Sequence, residues 1–129
     1  MVADTVVSVV PLPSNEMKGR VIGREGRNIR TFEQVTGGSV IIDDTPEIVL
    51  LSCFDPMRRE VARQALTDLV EDGRIHPISI ERAHQRAVDR IEDMCLDAAA
   101  DALSRAGIDD IDDRLVPILG ALRFRTSYG

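Results

Sequence analysis

Residues 21–30 read Val-Ile-Gly-Arg-Glu-Gly-Arg-Asn-Ile-Arg, and this stretch restricts the chain more tightly than any other. Gly23 and Gly26 bracket two charged residues, with aliphatic Val21, Ile22 and Ile29 on either side. Glycine permits backbone angles and close approaches that a side chain forbids. A Gly-x-x-Gly turn opening a helix lets a phosphate reach main-chain N–H groups, where the helix N-terminus adds partial positive charge. The flanking aliphatics predict an apolar groove beside the turn. A phosphate cradle next to an apolar groove suits single-stranded nucleic acid.

Around this turn the chain reads as alternating short elements. Thr5–Val10 is β-branched and predicts a strand ended by Pro11 and Pro13. Ser14 is placed to cap a short helix running to about Val21. A second helix is expected from about Asn28 to Thr36, with Ile29, Phe32 and Thr36 facing inward and Gly37-Gly38 stopping it. Ser39–Asp43 and Glu47–Ser52 read as hairpin strands joined through Asp44-Thr45-Pro46. Asp55 followed by Pro56 predicts a capped third helix with Met57, Val61, Ala65 and Leu69 buried, ending at Gly73. The order is β-α-α-β-β-α, an α+β fold with a three-stranded antiparallel sheet and three helices on one face. Beyond Pro77 a long helix is expected over Ile80–Ala106, its apolar edge drawn by Ile80, Ala87, Ile91, Met94, Ala98 and Ala102. Asp110 is placed to cap a further helix with Leu115, Ile118, Leu119 and Leu122 on its apolar face. Domain limits follow: 5–76, a connector helix over 77–107, and the start of another domain over 108–129.

The net charge of −6 opposes a nucleic-acid partner until its distribution is read. Glu16–Arg30 carries five basic and two acidic residues, whereas Glu92–Asp113 carries eight acidic residues and one basic one. Aromatics are few (Phe32, Phe54, Phe124 and Tyr128), which excludes a surface built on base stacking. Cys53 and Cys95 lie far apart in no metal-ligand pattern, as suits a reduced cytoplasmic protein. No apolar run approaches the ~18 residues of a membrane span, so no membrane contact is expected from this stretch.

Gly23-x-x-Gly26 in this order of elements resembles a type I KH domain, a module whose GXXG loop clamps four nucleotides. The likeness extends to the bacterial ribonuclease Y family through 19–31 (Gly-Arg-Val-Ile-Gly-Arg-Glu-Gly-Arg-Asn-Ile-Arg-Thr), 41–47, 54–60, Asp72-Gly73-Arg74-Ile75-His76-Pro77 and the closing Arg125–Gly129. It is strong over about 8–80 and looser over 81–120. The resemblance implies a piece of a membrane-anchored endoribonuclease that starts mRNA decay, itself composed of a transmembrane segment, a coiled coil, the KH domain and a metal-dependent HD phosphohydrolase domain. The implied partners are single-stranded RNA and the parent's HD domain and coiled coil, with the parent held at the inner face of the membrane. The expected divalent metal belongs to the HD domain. His76 and His84 are the only histidines, and neither forms a His-Asp pair, so cleavage is expected to reside outside these 129 residues.

The residues expected at the RNA are Gly23, Arg24, Glu25, Gly26, Arg27, Asn28 and Arg30, with Lys18 and Arg20 along the backbone path and Ile22 and Ile42 in the groove. Arg24 meets a phosphate, while Glu25 opposes one and moderates affinity. Taken singly, each of Lys18, Arg20, Arg27 and Arg30 is equally well explained as a solvated basic face. Asn28 is placed to cap the second helix or to contact a phosphate, capping being favoured. Val21 and Ile29 fit core packing better than the groove. Asp43-Asp44 fits a turn better than a metal pair. Two rival readings are a KH fold serving mainly as a homodimer or protein contact, and the KH domain of an exoribonuclease such as polynucleotide phosphorylase.

Overall fold

In the computed structural model, which describes residues 7–107, the first β-branched run forms strand β1, Val7–Pro11. Helix α1 (Met17–Ile22) and a single 3-10 turn (Arg24–Gly26) lead into helix α2 (Arg27–Thr36). Strands β2 (Ser39–Ile41) and β3 (Ile48–Ser52) precede helices α3 (Pro56–Asp72) and α4 (Pro77–Arg105). The sheet order is β1-β3-β2, with both pairings antiparallel. Its register sets Val10 opposite Val49 and Val40 opposite Leu51. All four are buried, so one face of the sheet is apolar and turned to the helices. Pro11 closes β1 on the sheet edge, where its missing N–H costs no ladder bond.

Helix α3 fills the middle of the core. Val61, Ala62, Ala65, Leu66, Leu69 and Val70 are all buried, a wider stripe than expected, but Met57, expected in that stripe, is only half-buried in the first turn of α3. Val21, Phe32 and Thr36 close the core from α1 and α2. Each large aliphatic side chain removed from water here contributes roughly 1.5–3 kcal/mol. Asp55 caps α3 as expected: its Oδ1 accepts from the amides of Met57 (2.8 Å) and Arg58 (3.3 Å). Asp55→Ala removes both acceptors and is expected to lower stability by about 1 kcal/mol, read as a drop in the chemical-denaturation midpoint with unchanged slope.

Three local expectations need correction. Ser14 does not cap α1: Glu16 occupies the cap position without a side-chain bond, and Ser14 instead offers its carbonyl to Met17 N. The first hairpin strand is shorter than Ser39–Asp43, because β2 ends at Ile41 and residues 42–47 form the connection. There Asp43 Oδ1 accepts from Thr45 N (2.9 Å), an Asx turn that competes with strand pairing. Last, α4 starts at Pro77 rather than Ile80, with proline in its favoured first position. Ile80, Ala83, Ala87 and Ile91 are buried, but Met94 is 60% exposed and Ala98 and Ala102 also face solvent. The apolar edge expected along the whole helix is therefore buried only in its first half.

The chain divides into two compact units, 1–87 and 88–129. The first contains every strand among the described residues and α1 to α3. The helix expected from Asp110 lies outside the described residues. Among those described, no helix is long and apolar enough to cross a membrane.

Candidate nucleic-acid interface

The turn between α1 and α2 is built from closely spaced departures from ordinary backbone. Gly23 has φ 76° and ψ 173°, a region accessible in practice to glycine alone. Glu25 (φ 56°) and Gly26 (φ 75°) are both left-handed. Gly26 donates to Gly23 O and Arg27 to Arg24 O, so the amides of Arg24 and Glu25 precede the first closed turn. Arg30 Nη1 donates to Glu25 O (2.6 Å) and holds the left-handed residue from below. The result is an exposed tip whose concavity, about 410 Å3, is lined by Arg24, Glu25, Arg27 and Arg30. Three guanidinium groups surround one carboxylate, so the concavity is cationic despite the chain's net −6.

Asn28 does something the sequence does not announce. It is buried, and its Nδ2 donates to both Arg20 O and Ile75 O at 3.0 Å. The amide thus ties the end of α1, the start of α2 and the segment before α4 to one point. Capping of α2 falls to Gly26 instead, with no side-chain bond. Gly23 rests directly on this amide: a Cβ placed there would lie 2.7 Å from Asn28 Cγ. Asn28 Oδ1 has no partner among the described residues.

The remaining expected site residues are dispersed. Lys18 donates its ammonium to the carbonyls of Asp43 (2.8 Å) and Thr45 (2.5 Å), closing α1 onto the β2–β3 connection. The Thr45 amide, its hydroxyl and the nearby Lys18 together hold the Asp43 carboxyl below its ordinary value. Arg20 lies on the other flank, its Nη1 3.7 Å from the position a side chain on Gly73 would take. Ile22 is 37% exposed beside the turn, whereas Val21 is core. Ile29 and Ile42 are half-buried. Arg24, Glu25, Arg27 and Arg30 therefore gather into one concavity, while Lys18 and Arg20 reach to different flanks of α1. Sequence reasoning missed the Asn28–Ile75 bond, because nothing local marks a partner 47 residues away. Among the described residues no cluster of His, Cys, Asp or Glu could hold a metal ion. Burial pushes the His84 imidazole below its usual value.

Comparison with known proteins agrees with this geometry. The KH domain family matches residues 7–68. The chain is 97% identical, over all its 129 residues, to 24% of ribonuclease Y from Cutibacterium acnes. It is 61% identical over 127 residues (98% of the chain) to 26% of ribonuclease Y from Acidothermus cellulolyticus. Against ribonuclease Y from Thermotoga petrophila it is 55% identical over 128 residues, 99% of the chain and 25% of that protein. The chain thus spans about a quarter of the length of the curated relatives it matches. No solved structure is significantly similar to it. Sheet order, the glycine turn between α1 and α2 and the sequence match converge: residues 7–68 of this chain are a KH domain, and its relatives are ribonuclease Y proteins.

Proposed function

We propose that this chain is the single-stranded RNA-binding module of an endoribonuclease that initiates mRNA decay, holding RNA for a metal-dependent HD nuclease domain that lies elsewhere in the protein. One observation carries the reading: within a KH domain, a Gly-x-x-Gly turn stands at a concavity lined by Arg24, Glu25, Arg27 and Arg30. Arg24 and Arg27 meet phosphate oxygens. Arg30 is already engaged with Glu25 O and shapes the loop. Glu25 faces the same concavity and keeps affinity modest. Half-exposed Ile22 and Ile42 floor the adjoining groove. In the parent protein, the divalent metal sits in the HD domain and the whole is anchored at the inner face of the membrane.

The test is fluorescence anisotropy of short single-stranded RNA with this chain and with Arg24→Asp/Glu25→Asp. Aspartate tolerates the left-handed backbone at position 25, so the fold is retained, and circular dichroism checks this. The wild type is expected to bind with log K falling against log salt at a slope of about −1.4, as for the two phosphates that Arg24 and Arg27 neutralise. The variant places two carboxylates at the phosphate and is expected to lose at least about tenfold in affinity. Equal binding by both proteins would remove the loop from the interface.

One observation favours a second reading. The sheet's outer face aligns Val9, Leu50 and Ile41 in one row, with Val9 54% and Ile41 43% exposed. Such an apolar row suits a homodimer contact. A monomer throughout the micromolar range by light scattering would dismiss it.

A further inference from the structure

A second cationic concavity, of about 360 Å3, opens at the start of α4 and is lined by Asp72, Arg74, His76, Ser79, Arg82 and Arg86. Its charge pattern repeats that of the loop: three guanidinium groups and one carboxylate. Arg82 and Arg86 are exposed, stand one helical turn apart on α4, and have no acidic partner among the described residues. Arg74 approaches Asp72 only at 4.0 Å with both side chains largely solvated, a pairing of little worth. Two adjacent arginines with no carboxylate to satisfy them repel each other, and an anion between them relieves that repulsion.

The walls are preorganised. Ser79 N donates to His76 Nδ1 (3.2 Å), and His76 N donates to Ser79 Oγ (2.9 Å), a reciprocal cap on the first turn of α4. The same hydroxyl lies 2.8 Å from Arg74 O. The segment carrying Arg74 and His76 is thereby fixed relative to Arg82 and Arg86 before any ligand arrives.

This concavity is also fastened to the glycine turn. Asn28, in the first turn of α2, donates to Ile75 O in the segment between Arg74 and His76. Arg20 bridges the interval, its backbone carbonyl on Asn28 and its guanidinium beside Gly73. These contacts set the segment carrying Arg74 and His76 against the base of the glycine turn.

We infer that Arg74, Arg82 and Arg86 form a second phosphate site for the same RNA strand, extending the footprint beyond the nucleotides held at the glycine turn. The inference rests on the RNA-binding reading above. Its ligand is an internal phosphodiester; a free inorganic phosphate offers the same oxygens, and the experiment separates the two.

Affinity is measured for the full chain and for Arg82→Gln/Arg86→Gln, against RNA of about four nucleotides and of about twelve, at several salt concentrations. Both substitutions sit on the exposed face of a long helix, and glutamine is a good helix former, so folding is retained. The expected result is about a tenfold loss on the long RNA with no change on the short one. The salt slope on the long RNA is expected to shrink by about 0.7 for each phosphate that the variant no longer neutralises. Unchanged affinity for the long RNA overturns the inference. An equal loss on both lengths also overturns it, since the arginines then act only through the general field. Inorganic phosphate that binds the wild type but not the variant at millimolar concentration, with no length dependence of RNA affinity, identifies a free-anion site and overturns it as well. If the wild type binds neither RNA, the RNA-binding reading itself fails, a result distinct from these three.

Discussion

Gly23→Ala is expected to destabilise the first unit by about 3 kcal/mol or more, while Gly26→Ala costs only about 1 kcal/mol. Both glycines have positive φ, yet their surroundings differ. At Gly23, φ 76° with ψ 173° is a region whose occupation by a side-chain-bearing residue costs about 1–3 kcal/mol by itself. The added methyl group then meets Asn28 Cγ at 2.7 Å, and Asn28 cannot retreat without giving up its bonds to Arg20 O and Ile75 O. At Gly26 the backbone is ordinary left-handed, which costs an alanine roughly 1–2 kcal/mol. Its nearest neighbour is Arg30 Nη1 at 3.0 Å, the end of a flexible side chain that can move. Thermal melts of the two variants should differ by more than about 10 °C. Equal shifts would contradict the close seat of Gly23 on Asn28.

The second large effect is expected from Asn28→Asp, a change of one donor into an acceptor at nearly constant volume. The wild-type Nδ2 faces two carbonyl oxygens at 3.0 Å. A carboxylate oxygen in that place faces the same two acceptors, buried, with no donor to offer. The cost at neutral pH is expected to exceed about 3 kcal/mol, combining two lost bonds with a buried charge. The variant carries its own control in pH. Burial and the two carbonyls raise the folded-state pKa of the introduced carboxyl group above its unfolded value of about 3.9. The destabilisation due to its charge is then full above the folded pKa and declines as pH falls below it. It vanishes below the unfolded value, where the group is protonated in both states. Denaturant midpoints of Asn28→Asp and wild type should therefore converge on acidification. A gap that stays constant down to about pH 4 would mean that position 28 contributes through packing rather than through its donor.

Both variants address one joint. The glycine turn is held by a side chain that reaches α1, α2 and the entrance to α4, so its conformation depends on bonds far away in the chain. That dependence explains why a left-handed Glu25 is tolerated at the tip. The strain of about 1–2 kcal/mol is offset by Arg30 on its carbonyl and by a firmly anchored base.

Much of this was legible before any coordinates. The β-branched run at Val7–Val10, the Asp55-Pro56 start of α3, the glycine stops at Gly37 and Gly73 and the periodic apolar stripe of α3 are local signals, and each led to the observed element. The glycine turn and its neighbouring arginines were equally plain, because Arg24, Arg27 and Arg30 come from one short segment whose own backbone brings them together. Errors arose where two local rules competed. Ser14 lost its cap when the chain closed a turn through its carbonyl, and β2 ended early because Asp43 bonded Thr45 instead of a strand. What sequence could not reveal were pairings between distant segments: Asn28 with Ile75, Lys18 with the carbonyls of Asp43 and Thr45, and the meeting of Arg74 with Arg82 and Arg86 in one concavity. Local propensity acts over a few residues and is written in their order. A hydrogen bond to a backbone carbonyl is chemically the same wherever that carbonyl stands, so its partner is chosen only when the packed core brings one particular carbonyl within reach.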